Sequence, residues 1–219
     1  DGRFKHILDT APDWTISRNR YWATSLPVWK CEDCKAVKVF GSVKELQKVA
    51  VEDVHDNVDL HKHVMDKVHV ACDCGKQMTR IPEVFDCWLE AASMPYASKH
   101  YPFENEELMQ KTFPADFVTE YVGQTRAWFY YMHAMGVLLF DKAPFKNVIV
   151  FGNVLAADGA KMSKSKKNFP DPALIFEKYG ADALRLYLMG SQVLKGEDLN
   201  FKEDGVKEVF RKVVMLLNN

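Results

Sequence analysis

No stretch of this sequence approaches the roughly 20 consecutive apolar residues that cross a bilayer, so a membrane-spanning helix is not expected. A surplus of one charge is lacking too. The 29 Lys and Arg against 30 Asp and Glu leave a formal net charge of −1, which argues against a generally basic nucleic-acid binder and confines any RNA contact to local patches. The pattern G-x-x-x-x-G-K-[ST] is absent, which excludes the common strand-to-helix phosphate loop. Internal repeats and low-complexity tracts are missing as well. What is left is a globular chain of 219 residues, enough for one or two domains with a real core. The opening residues DGRFKHILDT hold no hydrophobic signal segment, so a cytoplasmic location is expected.

Cysteine is scarce, at five, and unevenly placed. Cys31 and Cys34 form CEDC, Cys72 and Cys74 form CDCG, and Cys87 stands alone in FDCWLE. In a reducing compartment two close pairs read as metal ligands before disulfides. Four thiolates suit tetrahedral zinc and leave no coordination position open. A structural zinc on Cys31, Cys34, Cys72 and Cys74 is therefore predicted. His61, His63 and His69 lie close in sequence and are read as solvated, and Cys87 as a core residue.

Between the two cysteine pairs, Ser42-x-x-Glu45 is a helix-start capping box. Further on, FPADFVTEYV (Phe113–Val122) reads as a buried strand running out into a loop. GQTRAWFYYMHAMGVLLF (Gly123–Phe140) is apolar nearly all round and reads as a buried helix. FKNVIVFGNVLA (Phe145–Ala156) is a β-branched core strand that stops at Gly152. Asp171 is a predicted cap with Pro172 at the first helical position, followed by two short helices closed by Gly180 and Gly190. Strand, helix, strand, loop and helices in that order belong to an open parallel α/β sheet, whose ligands sit beyond the carboxyl ends of the strands. The loop after Glu120 and the lysine-rich loop both leave such ends, and are expected to share one crevice.

That second loop gathers Lys161, Lys164, Lys166 and Lys167 between Asp158 and Pro172. A basic surface loop would look the same by composition. Its context is more specific: Lys161–Ser165 spells KMSKS, after a strand and an Asp-Gly turn, and before KNFPDP and a Tyr-Gly-Ala-Asp-Ala-Leu-Arg helix. This arrangement resembles the second signature of the class I aminoacyl-tRNA synthetases. With PEVFDCWLEAASMPYA, PADFVTEYVGQTRAWF, FKNVIVFGNVLA and DWTISRNRYW, essentially the whole chain is similar to the isoleucyl branch of that family. The valyl branch is the runner-up, and typically carries Ala-Leu-Trp-Pro where Ser93-Met94-Pro95 stands here. An alternative of another class is a non-catalytic, zinc-stabilised module that contacts ATP or tRNA.

The resemblance implies a fold and a set of roles. The fold would be the second half of a Rossmann-like (HUP-type) parallel-sheet catalytic domain, with a small zinc-binding insertion and C-terminal helices. Lys161 and Lys164 would act on the triphosphate of ATP, supplied with Mg2+, and Met162 and Ser163 would complete that ATP-binding loop. Gly152 and Val154 would lie near adenine, the glycine allowing close approach. Glu120 and Gln124 match residues that bind the aminoacyl-adenylate, and Trp88 and Trp128 match the walls of the isoleucine pocket. Partners would be isoleucine, ATP and tRNA(Ile), and the parent protein would be a monomer. Two departures stand out: Tyr121, Val122 and Gly123 replace a common Gly-Leu-Asp, and Ala23 and Ala127 replace common glycines.

The family's first signature, His-Ile-Gly-His, does not occur in this sequence, nor does the hydrolytic editing insertion. Editing matters because one methylene is worth only about 10–200-fold in selectivity, isoleucine against valine being the usual example. The expected layout is a catalytic segment over 1–29, a zinc module over 30–80, the Rossmann-like half over 81–170, stem-contact helices over 171–202, and the start of an anticodon-binding bundle over 203–219. Such a piece is expected to belong to an active parent without being fully active alone.

Overall fold

The computed structural model describes residues 2–217. In chain order, α1 (Arg3–Asp9) precedes β1 (Ser17–Arg18), β2 (Val28–Lys30) and β3 (Val37–Val39). Next come α2 (Val43–Gln47), α3 (Lys62–Met65), β4 (Val70–Ala71), β5 (Gln77–Arg80) and β6 (Val84–Phe85). The middle of the chain holds α4 (Cys87–Ala92), α5 (Met94–Ala97), α6 (Glu106–Thr112), β7 (Ala115–Tyr121), α7 (Trp128–Phe140) and β8 (Phe145–Phe151). After it come β9 (Val154–Leu155), α8 (Pro172–Met189), β10 (Leu199–Asn200), α9 (Glu203–Val209) and α10 (Met215–Leu217). These make a mixed α/β protein of two compact units, Asp1–Met109 with Trp128–Asp141, and Gln110–Ala127 with Lys142–Asn219. Among the described residues no helix is long and apolar enough to cross a membrane.

The first unit contains a four-stranded antiparallel sheet in the order β3-β2-β5-β4. Trp29, Leu46, Met65, Val70 and Met78 fill its core, and the Trp29 indole donates to the Val68 carbonyl at 2.8 Å. The capping box forms in a shifted version. Ser42 Oγ accepts from the Glu45 amide at 3.2 Å, while the Glu45 carboxylate reaches Gly41 N at 2.9 Å, one residue before the cap. Arg80 is the polar centre of this unit. Its side chain is fully buried, pairs with Asp66, and donates to the carbonyls of Glu83 (2.7 Å) and Leu26 (3.3 Å). A buried guanidinium is tolerable because its donors are met in this way.

Also in this unit, β1 pairs antiparallel with β6, and α7 packs on α4. The sequence reading of a helix buried all round is corrected here. Regular helix begins only at Trp128, after a tight turn over Val122–Arg126, and its last turns expose Leu138 (76%) and Leu139 (53%). Phe129, Met132 and Gly136 mark the buried face. His133 on the same helix meets Phe4 edge-on at 5.7 Å, and its Nδ1 is buried without a hydrogen-bond partner among the described residues.

The second unit is built on β7 and β8, which run parallel with Ala115 opposite Phe145 and Tyr121 opposite Phe151. Only Val118 of β7 is buried; Phe117, Val148 and Ile149 are exposed. The reading of two core strands is thus corrected: among the described residues this sheet has two strands. A second parallel pair joins β9 to β10. The α8 segment is two helices: Asp171 caps the first through Ala173 N at 2.9 Å, Pro172 takes its first position, and Gly180 interrupts the helical path with φ 79° and ψ 158°. Ile175, Tyr179 and Ala183 pack with Phe201 and Val206. Lys178 (2.6 Å) and Tyr179 (2.8 Å) both donate to Glu203, tying α8 to α9.

Two outcomes follow. A Cβ at Gly180 would meet nothing within 4 Å, so Gly180→Ala carries only backbone strain, about 1–3 kcal/mol at dihedrals that glycine alone adopts readily. Its urea midpoint is expected to fall accordingly, and an unchanged midpoint would show that the helix break relaxes freely. Burial holds the His133 pKa below the usual histidine value. The fold therefore favours the neutral ring, a contribution present above the unfolded pKa of about 6.5 and lost as pH falls below it. His133→Leu is expected to flatten the loss of stability between about pH 7 and about pH 5, read from denaturation midpoints.

Candidate functional site

Two backbone turns bring the four cysteines together. In the first, Cys31 accepts at its carbonyl from Lys35 N (3.0 Å), and Lys35 has a positive φ of 62°. In the second, Cys72 accepts from Gly75 N (3.0 Å), and Gly75 has φ 80°. The sulfurs of Cys31 and Cys74 are 3.7 Å apart, those of Cys34 and Cys72 3.5 Å, and those of Cys72 and Cys74 3.4 Å. All four lie within 4.8 Å of one another. Sulfurs at the corners of a tetrahedron with zinc–sulfur bonds of about 2.3 Å would be about 3.8 Å apart, so the donor set fits zinc.

The thiol chemistry agrees. Backbone N–H groups led by that of Cys34 pull the Cys31 pKa down to about 7. At Cys74 the Lys76 amide also pulls downward, but the Cys72 thiol and burial overcome it and push the group up to about 12. Cys31 thus ionises readily while Cys34 and Cys74, hydrogen-bonded to neighbouring sulfurs, resist. The nearby histidines stay out of the cluster but are not simply solvated. His61 Nδ1 lies 2.5 Å from Asp59 and its ring stacks on Trp22 at 3.9 Å, while His69 Nδ1 meets Glu52 at 2.7 Å. Cys87 is exposed, which corrects its reading as core.

In the second unit the lysine loop is folded on itself. Ser163 N donates to the Asn168 side chain at 3.0 Å, Asn168 Nδ2 donates to the Lys161 carbonyl at 3.1 Å, and Lys167 N donates to the Ser163 carbonyl at 3.1 Å. Met162 points inward, against the cluster of Ile175, Tyr179 and Phe201. Lys161, Lys164, Lys166 and Lys167 are exposed, and none forms an ion pair among the described residues. The loop therefore presents cations outward from a fixed apolar anchor. Asn168, which staples it, was not singled out by the sequence motif.

The other candidates in this unit flank the strand ends. Glu120, half-buried, turns one carboxylate oxygen back to Tyr121 N at 3.0 Å, and Gln124 lies in the turn after β7. A Cβ on Gly123 would sit 2.4 Å from the Tyr121 ring, so the two departures from Gly-Leu-Asp fit each other: the tyrosine occupies the space a side chain at 123 would need. Gly152 has a structural reason of its own. A Cβ there would lie 2.0 Å from the Glu197 carbonyl oxygen, so the chain's own backbone makes the close approach. Val154 lines an apolar cavity of about 150 Å³ with Met162, Phe169 and Phe201. Trp88 and Trp128 belong to the first unit: Trp128 donates to the Ala91 carbonyl at 3.0 Å, and Trp88 stacks on Tyr131 at 5.5 Å.

Comparison with known proteins shows the family of the chain. Residues 1–202 match the family model for tRNA synthetases class I (I, L, M and V). The chain is 54% identical over 214 residues to a protein of Saccharomyces cerevisiae named isoleucine–tRNA ligase, cytoplasmic, covering 97% of this chain and 20% of that protein. It is 49% identical over 215 residues to the isoleucine–tRNA ligase of Treponema denticola, covering 98% of this chain and 19% of that protein. The chain thus spans about a fifth of the length of these relatives. In fold it is similar to a leucyl-tRNA synthetase of Agrobacterium radiobacter crystallised in a ternary complex with tRNA and LeuAMS, with a TM-score of 0.72 at 22% identity, covering 98% of this chain and 30% of that one.

The cysteine geometry gives a direct test. Protein purified without chelators is expected to carry about one zinc per chain, and Cys72→Ser to lose it and loosen the β2–β5 sheet, since structural zinc sites contribute about 10–16 kcal/mol in small fingers. Because thiolates bind the metal and protons compete for them, zinc content is also expected to fall as pH is lowered. Elemental analysis finding no metal at neutral pH would rule the site out.

Proposed function

The chain belongs to the class I tRNA synthetases of the isoleucine, leucine, methionine and valine group, and on that footing we propose that it is a catalytic segment of an isoleucine–tRNA ligase. The observation that carries this reading is identity near 50% along almost the entire chain to relatives of that name from yeast, mouse and bacteria. In it a carboxylate oxygen of isoleucine attacks the α-phosphorus of ATP, and the bond to pyrophosphate breaks. The 2′-hydroxyl of tRNA(Ile) then attacks the acyl carbon and AMP leaves. The valyl alternative is not favoured by these relatives.

Each part of the site takes a role under this reading. Phosphoryl chemistry of this kind depends on positioning and charge stabilisation more than on covalent help. Lys161 and Lys164, exposed and without acidic partners among the described residues, would meet the charge that builds on the departing pyrophosphate of Mg2+-bound ATP, and Met162, Ser163 and Asn168 would hold the loop that carries them. Gly152 and Val154 would border the adenine, Glu120 and Gln124 the adenylate, and Trp88 and Trp128 the isoleucine side chain. Zinc on the four cysteines would tie two turns together and take no part in the reaction.

The uncovered β7–β8 pair supports a place within a larger catalytic domain. Parallel sheets are almost always covered on both faces, and Phe117, Val148 and Ile149 here are not. The rest of a longer, cytoplasmic parent would supply the cover and the His-Ile-Gly-His signature that this sequence does not contain. The second half of a Rossmann-like fold is the architecture this implies.

The test uses the longer parent protein. Isoleucine-dependent ATP–pyrophosphate exchange is expected, and exchange driven equally well by valine would favour the valyl reading. Lys164→Ala is expected to slow adenylate formation by about 10²–10³, the usual cost of one preorganised electrostatic donor, with little change in KM for isoleucine. Lys167→Ala, beyond the signature, is expected to change it far less. Equal small losses at both positions would return the loop to a plain basic surface.

A further inference from the structure

Three tryptophans stand around α4 and α7, and they are held differently. Trp14 donates its indole N–H to Asp86 at 2.8 Å, and Trp128 donates its own to Ala91 at 3.0 Å. Trp88 has no hydrogen bond to its indole N–H among the described residues, and its ring contact is with Tyr131, near-parallel at 5.5 Å and 19°. Aromatic stacking is directional enough to set a ring's tilt and depth. Tyr131 is thus the aromatic neighbour against which Trp88 rests.

Tyr131 is itself held from elsewhere. Its ring lies 4.5 Å from that of Trp14 and 5.0 Å from that of Tyr130. Trp14 is fixed by Asp86, a carboxylate only 2% exposed whose charge is met by Arg18 at 2.9 Å. Asp86 is also the residue that opens α4, two positions before Trp88. The contacts close a ring: Asp86 to Trp14, Trp14 to Tyr131, Tyr131 to Trp88, and Trp88 along α4 back to Asp86. On α7, Trp128 and Tyr131 are three apart and share a face. Through that face α7 grips α4 near both of its ends, at Ala91 and at Trp88.

We propose that Tyr131 is a positioning residue for Trp88, and through it a determinant of which aliphatic amino acid the pocket accepts. This rests on the reading of Trp88 as a pocket wall. With Tyr131 in place the indole is pressed to a fixed depth. Without the ring, Trp88 can retreat by about the width of a methylene, and a pocket that discriminates on one methylene has little selectivity in reserve. Burial and the nearby Asp86 charge also hold the Tyr131 phenol protonated, its pKa raised, so the ring stays neutral against the indole.

The experiment is amino-acid-dependent ATP–pyrophosphate exchange by the full-length parent, with isoleucine and valine compared. Tyr131→Leu keeps apolar volume and removes the aromatic face. It is expected to raise KM for isoleucine about tenfold and to lower the isoleucine-to-valine ratio of kcat/KM several-fold, with KM for ATP within about twofold of the parent. Tyr131→Phe keeps the stack and is expected to restore parental values, which a loss due to poor folding at Tyr131→Leu would not explain. Tyr131→Met serves as the second variant should Tyr131→Leu melt early. Trp88→Ala separates the two levels of the reading. If it raises KM for isoleucine while the Tyr131 variants do not, the inference fails and the pocket assignment stands. If Trp88→Ala leaves KM for isoleucine unchanged, the wall assignment and the inference fall together. Equal losses for isoleucine and ATP at Tyr131→Leu would mean a merely structural role and overturn the inference.

Discussion

Side-by-side pairing of β7 and β8 in the same direction is the constraint on which the second unit depends. Because Tyr121 stands opposite Phe151, both strands release their chains at the same end of the sheet. One chain turns immediately through Val122–Arg126 and the other passes Gly152 into β9. Little freedom remains at that point. The Glu197 backbone occupies the space of a side chain at 152, Gly152 N donates to the Val193 carbonyl at 2.8 Å, and Asp198 accepts from both the amide and the side chain of Asn153 at 2.9 Å. Those Asn153 donors also hold the Asp198 carboxyl below the usual carboxylate range, so the contact is charge-assisted at neutral pH. The lysine loop begins from a path fixed on several sides.

Local signals in the sequence translated well wherever the physics is local. Asp171 caps through Ala173, Pro172 takes the first helical position, Gly180 breaks the helix with a positive φ, and Ser42 caps through Glu45. Each follows from the chemistry of a few adjacent residues. The cysteine pairs were equally legible, because C-x-x-C and C-x-C-G both demand a tight turn and the structure supplies one at each. Burial was less legible, since it depends on what else is present. The apolar character of Phe117, Val148 and Ile149 states that these faces are to be covered, but the described residues do not cover them. The same holds for Leu138 and Leu139 at the end of α7.

Pairings across long separations were invisible in advance. Nothing in the spacing of Trp14, Asp86 and Tyr131 brings them together; only the packing of α7 on α4 and of β1 on β6 does so. His69 looked like a free surface residue because its acidic partner, Glu52, lies 17 residues earlier in the chain. Gly152 is the instructive case. Close approach is a physical reason for a glycine there, and in this structure the protein's own backbone at Glu197 makes one. A motif can identify a constraint without identifying what imposes it.

The lysine loop shows how such a motif divides its labour. Along Lys161–Lys164 the pattern is outward cation, inward methionine, half-buried serine, outward cation. An all-lysine loop of this length would have nothing to hold it to the body of the protein, and an all-apolar one would have nothing to offer an anion. Methionine suits the inward position because its unbranched, flexible side chain fills irregular space, and the space beside it is irregular: an apolar cavity of about 150 Å³ bounded by Val154, Phe169 and Phe201. Holding the cations together without counter-charges costs little in water, where like charges a few ångströms apart repel by about 1 kcal/mol or less. An anion entering among them would remove that small repulsion and add its own attraction. The loop's charge is therefore inexpensive in the free protein and open to an anion, which under the proposed function would be the departing pyrophosphate.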